Sequence, residues 1–210
     1  MRIVKEAEER KNEILDVADQ LFNEKGYEGT STNEILERVG IARGTLYYHF
    51  KSKQDILEAL VERYNKEIIQ AAKAASRCKN TSVIERMIKV IQSLNIKQYH
   101  KGDNAVYENL HHVENSLLHQ RVQGMMIASV TPILAKLVEE GIEEGIFKTA
   151  TPYVCMEMVM VYATSLLDND LLKLSDEAKQ ERMKDMLINM ERMLGCEESG
   201  LQEGIMKMLK

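Results

Sequence analysis

Residues Thr30–Leu57 read TSTNEILERVGIARGTLYYHFKSKQDIL. Ser31 and Glu34 stand three apart, the spacing of a capping box, so a helix is predicted to start there with Ile35, Leu36 and Val39 as its apolar positions. Gly40 interrupts it about two turns later, and a further short helix is predicted from Arg43 to about His49. Two short helices joined by a tight glycine-containing turn form a helix-turn-helix. Gly40 suits that turn because it tolerates backbone angles that a Cβ penalises. Leu46 and Phe50 are four apart and share a face, which with Ile41 should pack on Ile35, Val39 and the preceding helix. Arg43, Gly44, Thr45, Tyr47, Tyr48 and His49 are then left pointing elsewhere.

Outward from this motif the pattern stays helical. Ile14, Ala18, Leu21 and Phe22 form a stripe on a helix predicted from Ile3 to Lys25, closed by Gly26. Ser52 offers a cap for a helix carrying Ile56, Leu57, Leu60, Val61 and Tyr64 towards Ala75. Further helices are predicted at 81–99, 104–117, 120–144, 153–170 and 176–194, with a weaker one after Gly200. Good helix formers dominate and only two prolines, Pro132 and Pro152, occur. The fold class is all-α: an N-terminal three-helix helix-turn-helix domain over 1–52, and a larger helical domain over 53–210 joined to it by a helix at 53–76. The polar stretch Arg77–Asn80 is the best candidate for a junction.

Formal net charge is −5, from 28 basic and 33 acidic residues, so attraction to a polyanion has to come from a local patch. The sequence supplies one. Arg38, Arg43, Lys51 and Lys53 fall in a window with no acidic residue. A DNA major groove explains the unusual outward face: Arg43 can reach a guanine edge, Gly44 permits close approach, and Thr45 and the tyrosine hydroxyls can bond phosphate. Lys51 and Lys53 lie near the start of the following helix, itself favourable for phosphate. Three widely separated cysteines, Cys78, Cys155 and Cys196, fit a reduced compartment. The amphipathic N-terminus does not read as a signal peptide, and no apolar run approaches the roughly 20 residues of a membrane span. A cytoplasmic protein is expected.

The run from Thr30 to Leu57 closely resembles the N-terminal DNA-binding region of TetR-family transcriptional regulators. The shared features are the Ser/Thr entry, Ile35, Gly40-Ile41, Gly44-Thr45-Leu46-Tyr47, His49-Phe50, Lys53 and the Ile-Leu that follows. The close match covers about residues 10–60, and EEGIEEGIF (139–147) is similar to a loop of the family's ligand-binding domain. The resemblance implies a ligand-responsive repressor that binds a palindromic operator as a homodimer and is released by a small-molecule inducer. It places Thr32, Thr45, Tyr47, His49 and Lys53 on backbone phosphates, and Asn33, Arg43, Gly44 and Tyr48 at or near bases. Two positions depart from the family pattern. Leu36 replaces a small alanine, and Ala42 replaces the usual Ser or Thr cap, a loss of about 1 kcal/mol that should leave the recognition helix fraying in the free protein.

In the C-terminal region Met183, Met186, Leu187, Met190, Met193 and Leu194 recur at helical spacing, as do Val154, Met158, Val161 and Ser165. Two such helices can form a four-helix interface with their copies. The resemblance also implies an inducer pocket between about 81 and 170. Tyr99, Tyr107, His111, Met125, Met126, Phe147 and Tyr162 are candidate lining residues, since methionine adapts to irregular ligands. No arginine cluster is visible in the sequence, so a lipophilic or aromatic effector is expected. Glu108 and His112 are four apart with His111 and His119 nearby, but His111 and His112 point to different faces and the cysteines are remote. No metal and no cofactor is expected. No nucleophile or phosphate loop accompanies Glu108, His111 and His112, so the chain is not expected to be an enzyme.

Overall fold

The protein is described by a computed structural model covering residues 2–78, 80–94, 105–167, 174–196 and 200–208. Every regular element among these residues is helical. In chain order they are α1 (Arg2–Lys25), α2 (Thr32–Val39), α3 (Arg43–His49), α4 (Lys53–Ser76), α5 (Val83–Ser93), α6 (Ala105–Leu110), a 3-10 turn (Val113–Asn115), α7 (Ser116–Glu143), α8 (Pro152–Leu167), α9 (Asp176–Leu194) and α10 (Leu201–Met208). None of the described helices is long and apolar enough to cross a membrane. The chain divides into two compact units, the described residues of 1–65 and 97–122 forming one and those of 66–96 and 123–210 the other. The division falls inside α4, so Arg77–Asn80 lies within the second unit and not at a junction.

In the first unit the α1 stripe is buried as its spacing demands: Ile14, Ala18, Leu21 and Phe22 form a core with Ile35, Leu46, Phe50, Ile56 and Leu57. Gly26 takes φ +77° and turns the chain out of α1. Thr30 is buried, and its hydroxyl donates to the carbonyls of Gly26 (2.9 Å) or Leu21 (3.2 Å), fixing the loop into α2. At the start of α4, Ser52 Oγ accepts from the Asp55 amide at 3.1 Å while the Asp55 carboxylate accepts from the Lys51 amide at 2.8 Å.

The helix predicted over 104–117 is broken. Asn115 turns its side-chain amide back onto the Asn109 carbonyl at 2.8 Å, and the His112 amide donates to the same carbonyl at 3.1 Å. That carbonyl is then closed off in a tight turn, and the chain passes through a 3-10 turn into α7. Asn115 Oδ1 also accepts from Gln54 Nε2 at 2.8 Å, and Gln54 Oε1 accepts from the Tyr27 hydroxyl at 3.1 Å. A chain of amides thus ties this turn to α4 and to the loop after α1.

The second unit is centred on Val83, Met87 and Val90 of α5, with Val130, Leu134 and Val138 of α7. Met156 and Met160 of α8, Leu187, Met190 and Leu194 of α9, and Leu201 and Ile205 of α10 complete it. Ser82 and Glu85 cap α5 reciprocally. After α7 the chain reverses at Gly145 (φ +76°), and Phe147 is buried beside Gly141, whose carbonyl accepts from the Phe147 amide at 3.1 Å. Arg86 joins three helices: its Nη1 donates to Glu140 at 2.6 Å and to the Ser76 carbonyl at 3.2 Å.

Candidate nucleic-acid interface

The α2–turn–α3 geometry follows from local signals. Ser31 accepts from the Glu34 amide while the Glu34 carboxylate accepts from the Ser31 amide, so two of the free donors of α2 are satisfied. Lys25 donates to Glu34 at 2.5 Å and Arg38 pairs with Glu24 at 2.9 Å, fastening α2 to α1. The Lys25 hydrogen bond, followed by those from Ser31, lowers the Glu34 carboxyl to about 2. Gly40 closes α2 at φ +74° and its amide donates to the Leu36 carbonyl. Leu36 is itself buried, so the larger side chain is accommodated at the inner face.

Ala42 then opens α3 in extended conformation with no side-chain cap. Leu46 and Phe50 anchor the helix inward, 1% and 3% exposed, whereas Tyr48 is 73% exposed. Arg43 and Gly44 are exposed beside it, and Asn33 faces solvent from α2. No atom lies within 4 Å of the place a Gly44 Cβ would take, so the helix backbone is open to a close approach there. The Arg43 guanidinium sits 5.5 Å from the centre of the Tyr47 ring. Hydrogen bonds from Arg43 first and Thr32 second hold the Tyr47 phenol below its ordinary pKa. Thr32, Arg43 and Tyr47 are therefore brought together as one polar cluster. His49 is half-buried, its ring edge-on to Tyr48 at 5.0 Å, and Thr45 is also half-buried.

The two lysines differ. Lys51 is exposed and donates to the Tyr47 carbonyl at 2.7 Å, closing the end of α3. Lys53 Nζ donates to the Tyr27 carbonyl at 2.8 Å, lies 4.2 Å from the Tyr27 ring centre and pairs with Glu28 at 3.6 Å. Its ammonium thus fixes the loop after α1, a role that nothing in the local spacing signals. Tyr27 and Thr30, which hold that loop, were likewise not singled out by the sequence.

Residues 14–60 match the family described as bacterial regulatory proteins, tetR family, and residues 99–189 match the tetracyclin repressor-like C-terminal domain. The chain belongs to the TetR family of transcriptional regulators. The family is regulatory and DNA-binding rather than enzymatic. Among curated TetR-like relatives, the HTH-type transcriptional regulator AcrR of Shigella flexneri is 44% identical over 57 residues, 27% of this chain and 26% of the relative. An HTH-type regulator of Staphylococcus aureus strain USA300 is 42% identical over 59 residues, 28% of this chain and 32% of the relative. The match thus spans about a third or less of these relatives' length. Whole-chain similarity comes from solved structures. RolR in complex with resorcinol superposes with a TM-score of 0.60 at 18% identity, covering 96% of this chain and 95% of that one. A TetR/AcrR-family regulator from Thermobifida fusca gives 0.60 at 24% identity, covering 85% and 96%. A gamma-butyrolactone receptor gives 0.57 at 17% identity, covering 97% and 96%.

The remaining sequence candidates of this TetR-family chain are dispersed. Tyr99 and the side chain of Tyr107 lie outside the described residues. His111 belongs to the first unit, where it meets His119 edge-on at 4.5 Å. In the second unit Phe147 is a core residue, 1% exposed, Met126 packs against the same core, and Met125 and Tyr162 reach the surface. Of the residues expected at the dimer face, Leu187, Met190 and Leu194 are instead buried in the unit's own core, which removes them from any surface contact. Met183, Met186 and Met193 pack partly against that core. Ser165 donates to the Val161 carbonyl of its own helix at 2.9 Å. Val154, Met158 and Val161 are exposed, and Tyr153 and Tyr162 extend the same apolar surface of α8.

Proposed function

We propose that this TetR-family protein is an effector-responsive repressor that binds a palindromic operator as a homodimer in the cytoplasm and is released by a small molecule. The observation that carries the reading is the outward face of α3, where Arg43, Gly44 and Tyr48 are exposed while Leu46 and Phe50 hold the helix from behind. Arg43 is placed to read a guanine edge, and Asn33, Gly44 and Tyr48 approach the bases. Thr32, Thr45, Tyr47, His49 and Lys51 take backbone phosphates, and Lys53 does so while fixing the loop at Tyr27. Two recognition helices on a palindrome must lie about one DNA turn apart, roughly 34–36 Å, so an effector that shifts α4 by a few ångströms can release the duplex. That RolR was solved with resorcinol, and that a receptor for gamma-butyrolactone shares the fold, supports the effector-responsive reading.

Fluorescence anisotropy with DNA from upstream of the protein's own coding region, across a salt series, tests the reading. Arg43→Ala should lose about 1–3 kcal/mol of discrimination between specific and altered sites. Lys51→Ala should weaken all sequences alike and lower the salt slope by about one. If no sequence outcompetes bulk DNA, the reading fails.

A further inference from the structure

A groove of about 400 Å³ opens on the second unit between the last turn of α4 and the middle of α7. Its apolar wall is Pro132, Ile133 and Leu137, and its cations are Lys73 and Arg77 at the end of α4 and Lys136 on α7. All three cations are exposed, and none is paired with a carboxylate among the described residues. The carboxylate in the lining, Glu140, is already held by Arg86 at 2.6 Å, so it does not neutralise them. Basic residues at the end of α4 would by themselves complement the helix dipole. Lys136 lies mid-helix on α7, where that explanation does not apply, and it faces the same space. The volume falls in the range of small-molecule sites, about 300–1,000 Å³.

We propose that this groove binds a small organic carboxylate, its anion against Lys73, Arg77 and Lys136 and its apolar body against Pro132, Ile133 and Leu137. This is the class of effector to which the regulator responds, a consequence that rests on the effector-responsive reading above. A bound anion replaces repulsion between the cations of α4 and α7 with a shared contact, drawing the end of α4 towards α7. Among the described residues, none of the aromatic or methionine side chains expected to line an inducer pocket contributes to this groove.

The test is isothermal titration calorimetry of the full chain with 4-phenylbutyrate, beside the neutral 4-phenylbutyramide and inorganic phosphate. The acid should bind about tenfold or more tighter than either. Lys136→Gln and Arg77→Gln, at exposed positions, should each weaken the acid by about tenfold and leave the amide unchanged. No binding of the acid, equal affinity for acid and amide, phosphate binding as tightly as the acid, or unaltered titrations in both variants overturns the site. Operator anisotropy at saturating acid separates the two ideas. Release of DNA supports the effector role, whereas acid bound with operator affinity unmoved ends that role and leaves the groove as a carboxylate site. A chain that takes up the acid selectively but never binds an operator overturns the DNA reading alone.

Discussion

Two helical glycines, Gly44 and Gly141, respond oppositely to the same added methyl. At Gly44 a Cβ meets no atom within 4 Å, so Gly44→Ala gains helix propensity of about 0.5–1 kcal/mol without a clash. That methyl stands on the face proposed to meet the duplex. The variant should unfold at higher temperature and bind operator more weakly; a stabler protein with undiminished affinity would take Gly44 off the interface. At Gly141 the added carbon would lie 2.5 Å from Phe147 Cε2, in a ring buried to 1% exposure. Overpacking of about 1–3 kcal/mol outweighs the propensity gain of at most about 1, so Gly141→Ala should lower the urea midpoint. Glu34 sets a pH dependence. Its folded pKa, about 2, lies below the ordinary 4.5, so its contribution is complete above 4.5 and lost as pH falls towards 2. Partial exposure to solvent screens the pair and keeps that contribution small. The stability gap between wild type and Glu34→Gln should narrow across that window in acid-unfolding titrations, and a constant gap would mean that the carboxylate's charge is not what matters.

For the recognition helix, the decisive residue is the one just before it. Ala42 has φ −70° and ψ 149°, the extended geometry a capping serine needs, yet supplies no acceptor. Ala42→Ser should stabilise α3 by about 1 kcal/mol, seen as slower hydrogen exchange at the Gly44 and Thr45 amides; unchanged exchange would show that the missing cap does not govern fraying. That position was legible in the sequence because caps are local, as were the Ser31–Glu34 box, the turn at Gly40 and the inward pair Leu46 and Phe50. The break after α6 was not legible, because Asn115 finds its partners at Asn109 and, far along the chain, at Gln54. The hold of Lys53 on Tyr27 was hidden for the same reason: its carbonyl and ring partner lies a helix-turn-helix away in sequence. Periodicity identified α8 and α9 as amphipathic but could not say which stripe met the core. The structure sends Leu187, Met190 and Leu194 inward and leaves Val154, Met158 and Val161 outside. The groove cations were hidden altogether, since Lys136 joins Lys73 and Arg77 only once α7 has been packed.

A net charge of −5 gives the molecule no overall attraction to DNA, so binding leans on the local α3 patch, and one short helix binds weakly on its own. Pairing two copies multiplies operator affinity through effective concentration, by about 10²–10⁴ with the same DNA-binding residues. The surface proposed for pairing is the apolar face of α8, on which Met158 is 57% exposed between exposed Val154 and Val161. A carboxylate placed there would be solvated in the single chain but buried without a partner in a symmetric pair. Met158→Glu should therefore sediment as a monomer while keeping the helical circular dichroism and unfolding midpoint of the parent. Its operator affinity should fall by about 10²–10⁴, with bulk-DNA binding much less affected. A variant that sediments and binds operator as the parent does would remove α8 from the dimer. One that becomes monomeric yet keeps full operator affinity would instead show that a single recognition helix suffices, and the palindrome would lose its physical basis.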